Sequence, residues 1–396
     1  MTVSNQHDYV IVGGGLQGCL VAHALVHHRP SASVLLLERA DSLCGNHTWS
    51  FHGSDVPAAA KPWLEPLVSK RWERYSVSFP GYRRRVELPY ATITSDDLRS
   101  STRTLSDRQK SDGDRVPLSI RCGVACDVRS GSEVQLATGE RVSGVVLDCR
   151  GMAATGRRQT GAGYQTFIGR EYQTERRWPS SEPTVMDVRP DQEDGFEFLY
   201  ELPFGPHRVL LEYTRFSREP ACDDDRATRF IEARLGEAGV DSAEVVRTER
   251  GCLPMPYESG RTVGGAAVAG GYAGAWYHAA TGYSMPLAIR FAETVAKADP
   301  RRVAEEIARA AAVDRPRRAF ARFLNRMLFC LVRPEHRWKV FRRFYRVLPE
   351  ERIARFYGHR FTAADAARIV IGRPPSGLAP LRFFRSLISH REQAPS

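Results

Sequence analysis

The sequence predicts a mixed fold, α/β at its start and α+β beyond, in three parts: a nucleotide-binding part, an antiparallel-sheet part and a helical C-terminal region. Three observations predict it. Asp8 to Val12 is a short apolar, β-branched run that leads into Gly13, Gly15 and Gly18, and Leu16 to His28 then carries helical spacing. Two alternating segments, Phe196 to Leu202 and Arg208 to Thr214, flank the turn residues Pro203-Phe-Gly-Pro206. From Arg301 onward the apolar residues fall at helical spacing, punctuated by Pro300, Pro316, Pro334, Pro349 and Pro374.

The first of these segments is G-x-G-x-x-G between a strand and a helix. Gly13 permits the tight turn, Gly15 lets backbone N–H groups approach a pyrophosphate, and Gly18 lets the helix sit close to the strand. Gly14 and Leu16 belong to the same turn. Leu35 to Leu37 form a second buried strand, and Glu38 at its end is placed to bind the ribose hydroxyls of an adenosine, with Arg39 beside it. An acidic residue there repels the 2′-phosphate of NADP, so the nucleotide is FAD or NAD. The matching segments lie more than two hundred residues later, which favours a Rossmann-like FAD-binding domain of the two-dinucleotide-binding-domain flavoprotein type.

After Glu38, Gly45 to His52 reads as a loop too short and mixed for a core strand. Its aromatics either anchor the loop or face flavin or an apolar substrate. Tyr75 to Phe79 and Arg84 to Leu88 form a hairpin about Pro80-Gly81. Thr94-Ser-Asp-Asp97 is a capping box opening a helix through Leu105, and Ser106 to Arg115 is a charged surface loop. Short strands follow over Val116 to Cys126 and Glu133 to Asp148, the last ending in Gly151. Residues 163–214 form the second sheet, where Leu210, Glu212 and Thr214 share one face. Asp223-Asp-Asp225 opens a helix that stops near Gly236 to Gly239. A glycine-rich run from Val263 to Ser284 precedes a helix with Ser284 at its cap and Pro286 in its first turn. That helix N-terminus suits an anion such as the pyrimidine end of a reduced flavin, which puts Thr281, Gly282 and Tyr283 at the cofactor. The expected division is 1–60, 115–162 and 245–300 for FAD, 61–114 and 163–244 for substrate, and 301–396 for a basic helical region.

Composition narrows the class. The 396 residues contain no repeat, and no run approaches the ~20 apolar residues of a spanning helix. The polar start argues against a secretory signal. Eight scattered cysteines without His partners read as buried free thiols in a reducing cytoplasm, and no metal site is expected. The net charge of +11 is uneven: residues 301–396 hold 22 Arg and Lys against 8 Asp and Glu, the first 300 hold 35 against 38. Arginines interleaved with Trp338, Phe341, Phe344, Tyr345, Phe356 and Tyr357 suit an anionic membrane surface or form a solvated basic face. No nucleic-acid-binding module is present.

Several segments together resemble the bacterial lycopene β-cyclase family over nearly the whole chain. They are Val10-Ile-Val-Gly-Gly-Gly-Leu-Gln-Gly18, Gly45-Asn-His-Thr-Trp-Ser-Phe51, Tyr200-Glu-Leu-Pro203, Arg208-Val-Leu-Leu-Glu-Tyr-Thr214, Pro254-Met-Pro256 and His278-Ala-Ala-Thr-Gly-Tyr-Ser-Met-Pro286. Phe344-Tyr-Arg-Val-Leu-Pro349, Arg355-Phe-Tyr-Gly358 and Gly372-Arg-Pro-Pro375 complete the pattern. Four positions depart from the expected patterns: Ala279 and Ala280 replace a proline and a threonine, Tyr213 replaces an acidic residue, and Tyr272 stands where many flavoproteins have Asp. The resemblance implies a redox-neutral isomerase, an intramolecular lyase closing β-ionone rings on lycopene. It implies FAD in reduced form, NAD(P)H as reductant, and a peripheral place on the cytoplasmic face of the membrane. Glu212 is then the acid, with His47, Trp49 and His278 at the substrate. On the strand pattern alone Glu212 could equally pair with Arg208 on the same face. The alternative activity is an FAD-dependent isoprenoid reductase of the geranylgeranyl-reductase type.

Overall fold

In the computed structural model the apolar run before the first glycine is the strand Gln6–Val12. The described residues are 5–111, 118–151, 161–189, 191–192, 195–240, 242–258 and 267–372. Gln6–Val12 lies inside a seven-stranded sheet, parallel to Val34–Leu37 and Arg141–Asp148, with Leu118–Arg121 beyond the former. Val268–Ala269 joins in parallel, while Glu133–Leu136 and Cys126–Val128 extend the sheet antiparallel. Tyr9 and Ile11 face one apolar cluster and Val10 and Val12 another. Burial on both faces is why the strand reads as a continuous apolar run rather than an alternating one. The helix Leu16–His28 packs with Met285–Lys297 on the first of those faces. It sits so close to the glycine turn that a Cβ on Gly18 would lie 1.9 Å from the Gly13 carbonyl oxygen, and Gly13 itself turns at φ +105°.

The second sheet runs in the order Ala243–Pro256, Ala162–Thr174, Arg208–Ser217, Phe196–Gly205, Thr184–Asp187, Tyr75–Phe79, Tyr82–Val86. Residues 245–256, assigned from the sequence to the nucleotide-binding part, therefore belong to this sheet. Their long antiparallel pairing with Ala162–Thr174 outweighs their nearness in sequence to the glycine-rich run. One face packs on the helix Asp224–Glu237, capped by Asp223. On the other, Phe196, Phe198 and Phe216 meet C-terminal residues such as Phe341 and Tyr345. Arginines staple that region to the sheet: Arg337 is buried and donates to the Phe216 carbonyl, and Arg84 donates to the carbonyls of Tyr345 and Leu348. The basic region, as far as residue 372, is thus part of the same packed body.

Other differences are local. Gly45 to His52 is not wholly loop, because Thr48–His52 pairs antiparallel with Tyr90–Thr94, which also pairs with Lys70–Trp72. Alternation is weak in this segment, and a neighbour far along the chain supplies its hydrogen bonds. Thr94 accepts the Asp97 N–H, but its own N–H goes to the Ser69 hydroxyl, so the expected capping box is only half formed; the helix runs Ser95–Ser111 and takes up more than half of the expected loop. The hairpin turn of the second sheet falls at residues 206–207, so the strand extends through Pro203 to Gly205. The expected segments 112–117, 263–266 and Arg373 to Ser396, with Pro374 and Pro375, lie outside the described residues.

Candidate active site

A cavity of about 540 Å³ joins the glycine turn to the second sheet. Gly15, Leu16, His47, Trp49, Glu212, Thr281, Gly282 and Tyr283 all line it, so residues from four separate segments converge on one cavity. A Cβ on Gly15 would meet nothing within 4 Å, which leaves its backbone open to a ligand from the cavity side. Ser284 and Met285, at the start of Met285–Lys297, also line the wall, and the side-chain oxygen of Gln165 is buried there without a partner. Gly13, Gly14, Gly18, Glu38 and Arg39 lie on or behind the turn rather than on the cavity wall. The Glu38 carboxylate accepts the Gly14 N–H at 2.7 Å and the Ala40 N–H at 2.8 Å, while Arg39 is exposed.

His278 is elsewhere. It is fully buried, edge-on to Phe356 and 5.0 Å from the His359 ring, and forms no part of the cavity wall. The N–H groups of Thr281 and Gly282 bond back to its carbonyl, which turns the chain so that its ring points away. Ala279 and Ala280 are buried beside it, and Asn325 donates to the Ala279 carbonyl. Tyr272, at the other departure, lines the cavity and donates to the Gly282 carbonyl.

Among the described residues Glu212 is the one carboxylate on the cavity wall, and what exposure it has is to the cavity. Arg208 does not pair with it. Register places Arg208 opposite Gln173, diagonal on the same face to Glu171, which takes its guanidinium and also accepts Arg247 at 2.9 Å. Glu212 instead accepts a 2.8 Å hydrogen bond from the Thr214 hydroxyl. Across the sheet it is flanked by Tyr200 on one side and Gly169 on the other, and beyond Gly169 stands Glu249. Gly169 puts no side chain between the two acids, and a Glu249 carboxyl oxygen stands 3.1 Å from where a Cβ on Gly169 would be. Burial and the neighbouring Glu249 carboxylate push the Glu212 carboxyl up to about 8. Arg247 opposes this only weakly, since its N–H groups are directed to Glu171, Glu249, Asn46 and Thr48. His47 on the same wall is pulled down, by burial first and Arg247 second, and so is neutral near pH 7.

Glu249, Arg247 and Gly169 escaped the sequence reading. The pair Arg247-Thr-Glu249 has the two-residue spacing of one strand face, but only the register across Gly169 brings it to Glu212. Aromatic rings complete the site: Tyr90, Tyr200, Phe198, Phe216, Phe341 and Tyr357 line the wall, and the Tyr90 and Tyr200 hydroxyls bond at 2.9 Å. Among the described residues no cluster of His, Cys, Asp and Glu could hold a metal ion.

A nucleotide-type sheet beside a large antiparallel sheet, with the cavity between them, is the architecture of FAD-dependent reductases and monooxygenases. Solved structures agree on the fold. A geranylgeranyl bacteriochlorophyll reductase-like protein from Thermoplasma acidophilum superposes with a TM-score of 0.59 over 97% of this chain and 99% of its own, at 10% identity. A probable FAD-dependent monooxygenase from Pseudomonas aeruginosa gives 0.60 over 86% of this chain and 100% of its own, at 16% identity. On that fold, the chain belongs to the lycopene cyclase family, whose description, Lycopene cyclase protein, matches residues 8–383. It is 36% identical to lycopene beta-cyclase of Pseudescherichia vulneris over 97% of both chains. It is 33% identical to that of Pantoea ananas over 93% of this chain and 95% of the relative.

Proposed function

We propose that the chain closes β-ionone rings on the linear ends of lycopene by acid catalysis, giving γ-carotene, β-carotene or both. The observation that carries this reading is Glu212: a carboxyl group without an arginine partner, its proton held by burial, on the wall of an aromatic cavity. Lycopene has no polar group to bind, so rate must come from proton delivery and from stabilising positive charge. Glu212 donates a proton to the terminal double bond. The tertiary carbocation is attacked by the next alkene along the chain, closing a six-membered ring, and loss of a ring proton leaves the β-ring. Faces of Trp49, Tyr200 and Tyr90 offer cation–π stabilisation to the charge as it moves, and the aromatic wall keeps water from trapping it.

FAD fits the turn: Gly13, Gly14, Gly15, Leu16 and Gly18 would take its pyrophosphate and Glu38, with Arg39 beside it, the adenosine end. Thr281, Gly282 and Tyr283 at the start of Met285–Lys297 would hold the pyrimidine end, where the unsatisfied N–H groups of a helix terminus favour an anion. Bound in reduced form and kept so by NAD(P)H, FAD would supply negative charge beside the developing cation without passing net electrons to product.

Expression in a lycopene-accumulating bacterium tests the activity directly. Cyclic carotenes are expected. Unchanged lycopene, or hydrogenated products formed with stoichiometric use of reductant, would overturn the reading in favour of nothing or of an isoprenoid reductase.

The substrate lives in lipid, and we infer that the basic helical region rests on the anionic inner face of the membrane. No helix among the described residues is long and apolar enough to span one. The amphipathic helix Arg315–Arg326 leaves Phe323 42% exposed, with Val313 at 66% just before it. Reversing Arg315, Arg322 and Arg346 to Glu should release folded protein from anionic vesicles; binding indifferent to reversal and to salt refutes the electrostatic part.

A further inference from the structure

Glu249 is a buried acid that the cyclisation scheme does not yet use. It is 2% exposed and sits on the cavity face of Ala243–Pro256. One of its oxygens is held by the Thr48 hydroxyl at 3.1 Å and by Arg247 at 2.9 Å. The other points over Gly169 toward Glu212: a Cβ on Gly169 would lie 3.1 Å from it and 2.9 Å from the Glu249 Cγ. Any side chain at 169 would therefore stand between the two acids. Glycine inside a central strand weakens it, and marks places where other groups must approach closely. Both sides of this arrangement are built, one carboxylate anchored by a cation and a hydroxyl, the other left without a cation.

We propose that Glu249 is the positioning residue of the acid, sharing one proton with Glu212 across the gap at Gly169. The inference rests on the reading of Glu212 as proton donor. Two carboxylates this close cannot both carry charge without cost, so one proton stays with the pair. Arg247 and Thr48 favour charge on Glu249, which leaves the proton on Glu212, the member that faces the cavity. In the reaction the proton passes from Glu212 to the less substituted carbon of the terminal alkene, leaving the tertiary cation, and the carbon–carbon bond closes. The proton lost from the ring then returns to the pair, so each turnover leaves the proton count unchanged. The charged and titratable groups around the pair are Arg247 and Glu171 on the same sheet, Tyr200 and Tyr90 at its other side, and His47 above it. With Glu171 matched by Arg208 and Arg247, the charge that governs Glu212 is that of Glu249.

The test is the pH profile of cyclisation by FAD-loaded variants, joined to an infrared titration of the protonated carboxyl band. In Glu249→Gln the alkaline limb should move down by about one pH unit or more, with rate recovered on the acid side. Arg247→Gln should move it up, so a fold lost in either variant leaves the other to read. The infrared band should be present in the parent above pH 6, vanish in Glu212→Gln, and titrate lower in Glu249→Gln. A rate that falls equally at every pH, with limb and band unmoved, would overturn the sharing and leave Glu249 a structural residue. So would a parent protein with no such band. Full activity in Glu212→Gln would remove the acid itself. An inactive Glu212→Gln beside an unmoved limb in Glu249→Gln leaves that acid standing and sinks only the pairing.

Discussion

The two faces of the second sheet both bury glutamates, and they treat them in opposite ways. On the helix face Glu197 takes two 2.6 Å bonds from Arg226 and a third from the Tyr213 hydroxyl, and Glu201 is bound by Arg234 and Trp178. These are closed, fully satisfied sites around the core of the Asp224–Glu237 helix. On the cavity face Glu171 is likewise matched by two arginines, but Glu212 has only a threonine hydroxyl and another acid. A buried acid that merely holds structure is paired, because an unpaired one costs several kcal/mol or gives up its charge. At Glu212, burial and the Glu249 carboxylate push the carboxyl up to about 8, which favours its neutral form. That is the property a proton donor needs at neutral pH.

The largest expected effect is on activity. Glu212→Gln should fold and retain FAD while losing cyclisation by roughly two orders of magnitude or more; conversion at near the parent rate would name another group as the acid. The parent rate should be flat on the acid side and fall as pH rises through about 8, since the protonated form is the donor. The same raised value means that the unfolded chain ionises at lower pH than the native one. Glu212 therefore contributes stability at low pH that is lost progressively as pH rises from the ordinary 4.5 toward 8. Glu212→Gln should accordingly melt no lower than the parent at pH 8. Glu197→Gln reverses the pattern. It leaves Arg226 buried without its counter-charge and should cost about 3 to 5 kcal/mol of stability by denaturant titration. Surviving folded protein should still cyclise, because Glu197 faces away from the cavity.

Much of this contrast was legible beforehand and part was not. The glycine turn, the helix Leu16–His28 and the strand bearing Glu212 follow from local pattern, since periodicity and turn chemistry act within a few residues. Convergence of Gly15, Trp49, Glu212 and Tyr283 on one cavity followed from the family motifs, not from spacing. The partners of Glu212 were not readable, because they depend on register between strands forty and eighty residues apart. Arg208 and Glu212 do share a face, as alternation requires, yet Glu171 on the adjacent strand lies nearer to Arg208 and takes it. Tyr213 shows the converse. Its position points to the helix face, so an acid there could never have served as the second carboxylate. His278 failed for a third reason: its backbone turns the Thr281–Tyr283 loop into the site, and the ring is left outside.

The smallest expected effect belongs to Arg208, the residue that a strand pattern would most readily have paired with Glu212. Its guanidinium side chain is 54% exposed and engages Glu171 from the solvent side. Pairs of that kind contribute about 0 to 1 kcal/mol, because water screens the attraction and the long side chain loses freedom. Glu171 keeps Arg247, at 12% exposure, as its buried partner, so it stays compensated when Arg208 is removed. Arg247 in turn keeps its bonds to Glu249 and Thr48, and nothing that sets the Glu212 proton changes. Arg208→Gln should therefore lower stability by at most about 1 kcal/mol. It should leave the cyclisation rate within about twofold and the alkaline limb of the pH profile in place. A limb that moves upward would mean that Arg208 had been stabilising the Glu212 carboxylate after all, and that the two faces of the sheet differ less than their contacts indicate.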